Sequence, residues 1–286
     1  MPRTDLSGVK PVIFSCDGLT LTDAERTFFS KENPFGFILF ARNIETPEQV
    51  RALIADFRQA VGRSDAPVLV DQEGGRVQRF KPPHWYKAPP FGKLGELYDI
   101  DPDKGRRATV LATQLIAADL QKVGVTVNCS PCLDLNLEAT SSVIGDRSFH
   151  SDPDVVGQLA KIVCAEYLTA GIMPILKHMP GHGRGAVDSH HELPAVTANE
   201  DELSVTDFAP FKSLSHMPWG MTAHIVFEKI DPDYPATQSK IVIDDIIRGQ
   251  IGFDGLLLTD DLNMNALSGS LGDRAVRAQD AGIAII

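Results

Sequence analysis

Apolar runs of strand length recur along the chain at Pro11–Ser15, Phe35–Phe40, Pro67–Val70, Val125–Asn128, Ile172–Leu176, Trp219–Val226, Gly255–Thr259 and the closing IAII run, Ile283–Ile286. None alternates apolar with polar residues, which is the pattern of strands covered on both faces rather than on one. The segments between them carry helical signals. Thr46-Pro47-Glu48 opens a helix with an N-cap, a proline in the first turn and an acid near the positive end of the dipole. The helix then presents Val50, Leu53, Ile54 and Phe57 on one face. Asp23–Lys31, Lys104–Val123 (stopped by Gly124), Pro153–Ala170 (capped by Gly171), Asp201–Ser215, Lys240–Gly249 and Asp273–Asp280 are the remaining helices, and Phe80–Leu97 reads as a long irregular loop.

Eight strands alternating with helices predict an α/β fold, a (β/α)8 barrel of the TIM type, spanning residues 1–286 as one catalytic domain. An open doubly wound sheet is the alternative, weakened because no GxGxxG follows an early strand. The chain stops in its eighth strand, so the expectation is a barrel lacking its last helix through C-terminal truncation.

Composition narrows the function. The 286 residues are 43% hydrophobic and 23% charged with a formal net charge of −11, an ordinary globular balance. That charge argues against a nucleic-acid surface and gives no support to an anionic-membrane anchor. No apolar run has transmembrane length, and Pro11–Cys16 is too short for a secretory signal, which predicts a cytoplasmic protein. Cys129 and Cys132 form a CxxC with no second pair to complete a zinc site, so they read as structural thiols.

In a barrel of this type the working residues sit at the C-terminal ends of strands. Here those ends carry Asp17, Arg42, Asp71, Asp134, Lys177-His178, His224 and Asp260. Core packing alone would place turn residues there; for Asp17 and Asp134 a helix cap is an equal reading. Lys177, Arg79 and Arg147 as donors, mixed with Asp71 as an acceptor, suit a polyhydroxy ligand better than a phosphate. Asp260 ends an all-apolar strand, where a fixed nucleophile or electrostatic group would sit. The fifth strand leads into KHMPGHGRGAVDSHHELP, Lys177–Pro194, which is too rich in ionisable groups for a plain connector. Asp188 and His190 stand two apart, so the aspartate can fix one tautomer while the ring exchanges protons. The same histidines could hold a metal, but they show no HExxH spacing. His182, between two glycines, reads as a residue whose backbone matters more than its ring.

VDQEGGRVQRF (Val70–Phe80), IGDRSF (Ile144–Phe149), KHMPGHG with DSH, and LLTDDLNM (Leu257–Met264) resemble glycoside hydrolase family 3, more narrowly its single-domain bacterial β-N-acetylhexosaminidases of peptidoglycan recycling. The resemblance runs in order over nearly the whole chain. It implies a retaining double displacement with Asp260 as nucleophile and His190 as acid/base, tuned by Asp188. It further implies that Asp71, Arg79, Arg147, Lys177 and His178 bind the non-reducing N-acetylglucosamine. The expected substrate is N-acetylglucosamine linked to 1,6-anhydro-N-acetylmuramic acid, with or without peptide, and the expected enzyme is a monomer with no metal or organic cofactor. Met179 stands where Phe is common. Glu73 is expected to make only a structural hydrogen bond in the Gly74-Gly75 turn. A metal-dependent barrel hydrolase and a catalytically silent sugar-binding protein are the competing readings.

Overall fold

The computed structural model describes residues 6–137, 143–185 and 193–286. Strands β1 (Lys10–Phe14), β2 (Pro34–Leu39), β3 (Val68–Val70) and β4 (Val127–Asn128) pair in that order, all parallel. The fifth strand has two segments around Ile175: Met173–Pro174 pairs with β4, and Leu176–Met179 pairs with β6 (Trp219–Thr222), which pairs with β7 (Leu256–Thr259). We treat those two segments as β5. The last residues complete the ring. Thr259 N donates to Ile285 O at 3.1 Å, and Ile13 N donates to Ile286 O at 2.8 Å, so the terminal run joins β7 to β1. The eightfold ring anticipated from the apolar runs is therefore the observed barrel.

Two apolar layers hold it. Leu69, Val127, Cys129, Ile175, Met221, Leu258 and Ile285 fill the inside of the ring. The larger layer lies between the strands and the surrounding helices, with Phe29, Phe37 and Phe57 packed edge and face against one another. The helices are α1 (Asp23–Glu32), α2 (Pro47–Val61), α3 (Phe91–Ile100), α4 (Pro102–Val123), α5 (Pro153–Thr169), α6 (Glu200–Val205), α7 (Ala209–Ser213) and α8 (Leu271–Ala281). Thr46 caps α2 as its sequence predicts, accepting from Gln49 N, and Gly62 ends it in the left-handed region at φ 67°. Among the described residues, no helix is long and apolar enough to cross a membrane.

Three elements differ from expectation. The loop anticipated at Phe80–Leu97 contains most of α3, which buries Phe91 and Leu94. The single helix expected over Asp201–Ser215 is two, because Thr206–Phe208 leaves the helical path to bring Asp207 onto Arg184 at 2.7 Å. Val242–Gln250 winds as a π-helix rather than an α-helix, with Val242, Ile243, Ile246 and Ile247 buried.

Candidate active site

The C-terminal rim gathers side chains from strands far apart in sequence. β3 runs directly into Asp71, and Gln72–Gly74 then folds back against Val77–Gln78 as a short antiparallel hairpin. The hairpin can turn because Gly74 and Gly75 take φ of 117° and 56°, and a side chain on Gly74 would meet Pro89 O at 2.3 Å. That fold turns Glu73 inward instead of toward solvent. Its carboxylate receives Arg147 Nη2 at 2.8 Å and Nε at 3.0 Å, and Lys177 Nζ at 2.7 Å. Lys177 also donates to Asp71 at 2.9 Å, and Asp71 receives Arg79 at 3.1 Å. Asp71, Glu73, Lys177, Arg79 and Arg147 thus form one chain of ion pairs.

The energetics of that chain follow from burial. Lys177 and Glu73 are each 2% exposed. Burial alone would push both carboxyls up, but Lys177 and Arg79 hold Asp71 well below the carboxylate range, and Arg147 and Lys177 hold Glu73 at about 2. The same partners raise Lys177 despite its burial. Asp71, Glu73, Lys177 and Arg147 are therefore charged at neutral pH. The expectation for Glu73 is corrected: it does not serve the glycine turn but anchors two of the sugar-binding candidates.

A second cluster lies beside the first. Asp134 is buried; its Oδ2 accepts from His178 Nδ1 at 2.6 Å and its Oδ1 from His182 N at 2.7 Å. Burial raises this carboxyl, and the His178 ring with His182 more than offsets it. Asp134, which the sequence left undecided between cap and chemistry, thus lies in the candidate site and orients His178. With Nδ1 committed to Asp134, His178 turns Nε2 to the pocket, 3.4 Å from Arg147 Nη2 and 3.9 Å from Asp260. For His182 the backbone does matter, as anticipated, yet its ring is also buried, with neither nitrogen paired among the described residues, and burial pushes it down to about 4.

Asp260 follows β7, and its Oδ1 accepts the Asp261 amide at 2.8 Å. Burial raises its carboxyl, while His178 and His224 bring it below the usual value, so it is ionised at neutral pH. Among the described residues, no lysine or arginine pairs with Asp260, unlike Asp71 and Glu73. His224 is buried beneath it, between Thr237 Oγ1 at 2.8 Å and Asp261 O at 3.1 Å. The Asp261 side chain accepts from Asn263 N at 2.8 Å, closing a turn rather than capping a helix. Asp17 and Arg42 stand outside the network: Arg42 donates to Cys16 O and lies over the Phe40 ring. Asp188, His190 and His191 lie outside the described residues.

The arrangement offers fixed donors and acceptors for hydroxyls, plus a carboxylate that no described lysine or arginine neutralises, at the mouth of a parallel barrel. Together these define a barrel glycoside hydrolase. The chain belongs to the glycosyl hydrolase family 3, whose N-terminal domain model matches residues 13–286. It is 41% identical over 276 residues to the beta-hexosaminidase of Alkalilimnicola ehrlichii, covering 95% of this chain and 78% of that one. The beta-hexosaminidase of Nitrosomonas eutropha is 38% identical over 276 residues, with the same two coverages. Among solved structures, NagZ from Neisseria gonorrhoeae in complex with N-trifluoroacetyl-D-glucosamine superposes with a TM-score of 0.89 at 34% identity, over 96% of this chain and 80% of that one.

Proposed function

We propose that this enzyme is a retaining exo-β-N-acetylglucosaminidase that releases N-acetylglucosamine from 1,6-anhydro-N-acetylmuramic acid, with or without the stem peptide, in cytoplasmic peptidoglycan recycling. The observation that carries the reading is the isolation of Asp260. Every other pocket carboxylate accepts a close hydrogen bond from a lysine, arginine or histidine side chain, whereas Asp260 is ionised, reaches the pocket, has no lysine or arginine on it among the described residues, and stands 3.9 Å from His178 Nε2. A carboxylate in that state is free to attack a sugar carbon. Asp71, Arg79, Arg147, Lys177 and His178 would bind the hydroxyls of the non-reducing sugar. The relative from Neisseria gonorrhoeae, seen with a 2-acylamino glucose, supports that sugar class.

In the first step an Asp260 oxygen bonds to the anomeric carbon as the glycosidic bond breaks, and the departing oxygen takes a proton from His190. In the second, His190 removes a proton from water, whose oxygen displaces Asp260 and restores the carboxylate. Asp188 would hold the His190 tautomer. Two inversions at one carbon give net retention.

The test is turnover of an aryl β-N-acetylglucosaminide, with the anomer of the first product followed by NMR. Wild type should release β-N-acetylglucosamine, and Asp260→Ala should lose roughly 10⁴-fold in kcat. Azide, small enough to enter the vacated space, should then yield the α-glycosyl azide. For His190→Ala, loss should be severe with poor leaving groups and mild with good ones, because good leaving groups need little protonation. An α product from wild type, or near-normal turnover by Asp260→Ala, would sink the mechanism. Sugar binding without release of aglycone would favour the silent binding protein.

A further inference from the structure

The CxxC of the sequence remains unused by the chemistry above, yet one of its thiols lies against the site. Cys132 is fully buried after β4, and its Sγ donates to Asp134 Oδ2 at 3.2 Å. We propose that Cys132, Asp134 and His178 form a binding site for a divalent cation of the zinc class, one side chain behind the sugar pocket, and that its occupation shuts off the hydrolase.

One donor atom from each residue lies within 4.8 Å of the other two. Zinc bonds of about 2.3 Å to sulfur and about 2.0–2.1 Å to nitrogen and oxygen, at tetrahedral angles, separate the donors by roughly 3.3–3.6 Å. The Cys132–Asp134 spacing of 3.2 Å already approaches this. The His178–Asp134 spacing of 2.6 Å must open by less than about 1 Å, with the ion replacing the shared proton. Asp134 is oriented for such a role, because the His182 amide fixes Oδ1 at 2.7 Å and leaves Oδ2 to the sulfur and imidazole.

A second observation points to the same place. The His182 ring is 4% exposed and, among the described residues, neither nitrogen has a partner. It stands edge-on to the His178 ring, centroids 5.9 Å apart. Buried polar groups are almost always paired, and this orphan supplies a nitrogen donor beside the cluster. Charge favours a cation too. Asp71, Glu73, Asp134 and Asp260 make four carboxylates against the three cations Lys177, Arg79 and Arg147. A sulfur–imidazole–carboxylate set selects zinc-like ions over magnesium or calcium. Binding would release the thiol proton, take His178 Nδ1 and draw the ring off its present line to Asp260 and Arg147.

Inhibition, unlike the site itself, rests on the reading of Asp260 and His178 given above. Cobalt, as a coloured stand-in for zinc, separates the two. Titrating the whole chain with cobalt chloride should give one equivalent of tetrahedral cobalt with a thiolate charge-transfer band in the near ultraviolet. X-ray absorption of the zinc-loaded chain should show a sulfur neighbour at about 2.3 Å. Cys132→Val and Cys132→Ser should abolish both signals, and Cys129→Val should not. In the Cys132 variants the half-inhibiting zinc concentration should rise roughly tenfold or more, with hydrolysis without metal kept within a factor of two. A nitrogen–oxygen shell without sulfur in wild type would overturn the site, even if no variant folded. So would equal zinc inhibition of wild type and both Cys132 variants, which would move the ion to histidines elsewhere. Failure to cleave any N-acetylglucosaminide would overturn the functional reading and leave the cobalt and absorption results to decide the site.

Discussion

Glu73 joins two of the positive side chains of the pocket, and its removal would leave both underpaired in a buried setting. Glu73→Gln should cost roughly 3 kcal/mol of stability, the scale for breaking one partner of a buried ion pair, and lower kcat/KM as Arg147 and Lys177 lose their anchor. Equilibrium urea unfolding and steady-state kinetics would measure each. The pH dependence gives a sharper signature. Glu73 is held at about 2 in the fold against an ordinary value of 4.5. The unfolded chain therefore binds the extra proton first, so this contribution is complete above about pH 4.5 and lost as pH falls toward 2. The stability gap between wild type and Glu73→Gln should shrink over that window, and parallel curves would refute the role. The sequence could not reveal this pairing, because Glu73 and Arg147 are 74 residues apart and QEGG reads locally as a turn. Asp71, Lys177 and Asp260 were legible because each ends an apolar run at the catalytic rim. Asp134 ends a similar run, but the donors that occupy it come from the fifth strand and beyond.

The elements show where helical periodicity fails as a guide. α3 hides behind a proline-rich approach and spends two of its ten positions on glycine, so its propensity is poor. Tertiary contact explains the glycines. A side chain at Gly95 would stand 1.7 Å from Phe149 O, and one at Gly92 3.3 Å from Asp146 O. The helix is thus pressed against the segment that carries Arg147, with Phe91 stacked on Phe149 at 4.3 Å. Gly105 of α4 lets Tyr98 approach in the same way, since a Cβ added there would stand 2.4 Å from Tyr98 Cα. Gly95→Ala should therefore destabilise by about 3 kcal/mol, at the upper end for overpacking, and raise KM because the Arg147 segment is displaced. Thermal unfolding and KM for the aryl glycoside would register the two effects. An unchanged KM with a lowered melting temperature would confine the contact to stability. By contrast, the start of α2 and the end of α4 were legible, since Thr46 with Pro47 and Gly124 state those two boundaries in local chemistry.

At the scale of the molecule, the barrel was legible because a parallel ring buries both faces of each strand, which makes eight unalternating apolar runs conspicuous. What the runs could not state is how closure is achieved at the end of the chain. Among the described residues, only the terminal run links β7 to β1, through Ile285 and Ile286. Ile285 is also 5% exposed and belongs to the interior layer with Leu69, Val127, Met221 and Leu258. Truncating its side chain leaves the backbone bonds in place and opens a void at the seam. Ile285→Ala should cost about 2–5 kcal/mol, the range for large-to-small changes in a core. In urea the midpoint should fall with little change in slope, because the same surface is exposed on unfolding. Asp260 sits one residue beyond β7, whose Thr259 amide is held by Ile285 O at 3.1 Å. Looser closure should therefore lower kcat more than it raises KM if Asp260 is the nucleophile proposed above, since Asp260 moves while Asp71, Lys177 and Arg147 stay tied to one another. A variant with wild-type midpoint and kcat would show that the seam is held by backbone bonds alone, with the Ile285 side chain contributing nothing to the position of Asp260.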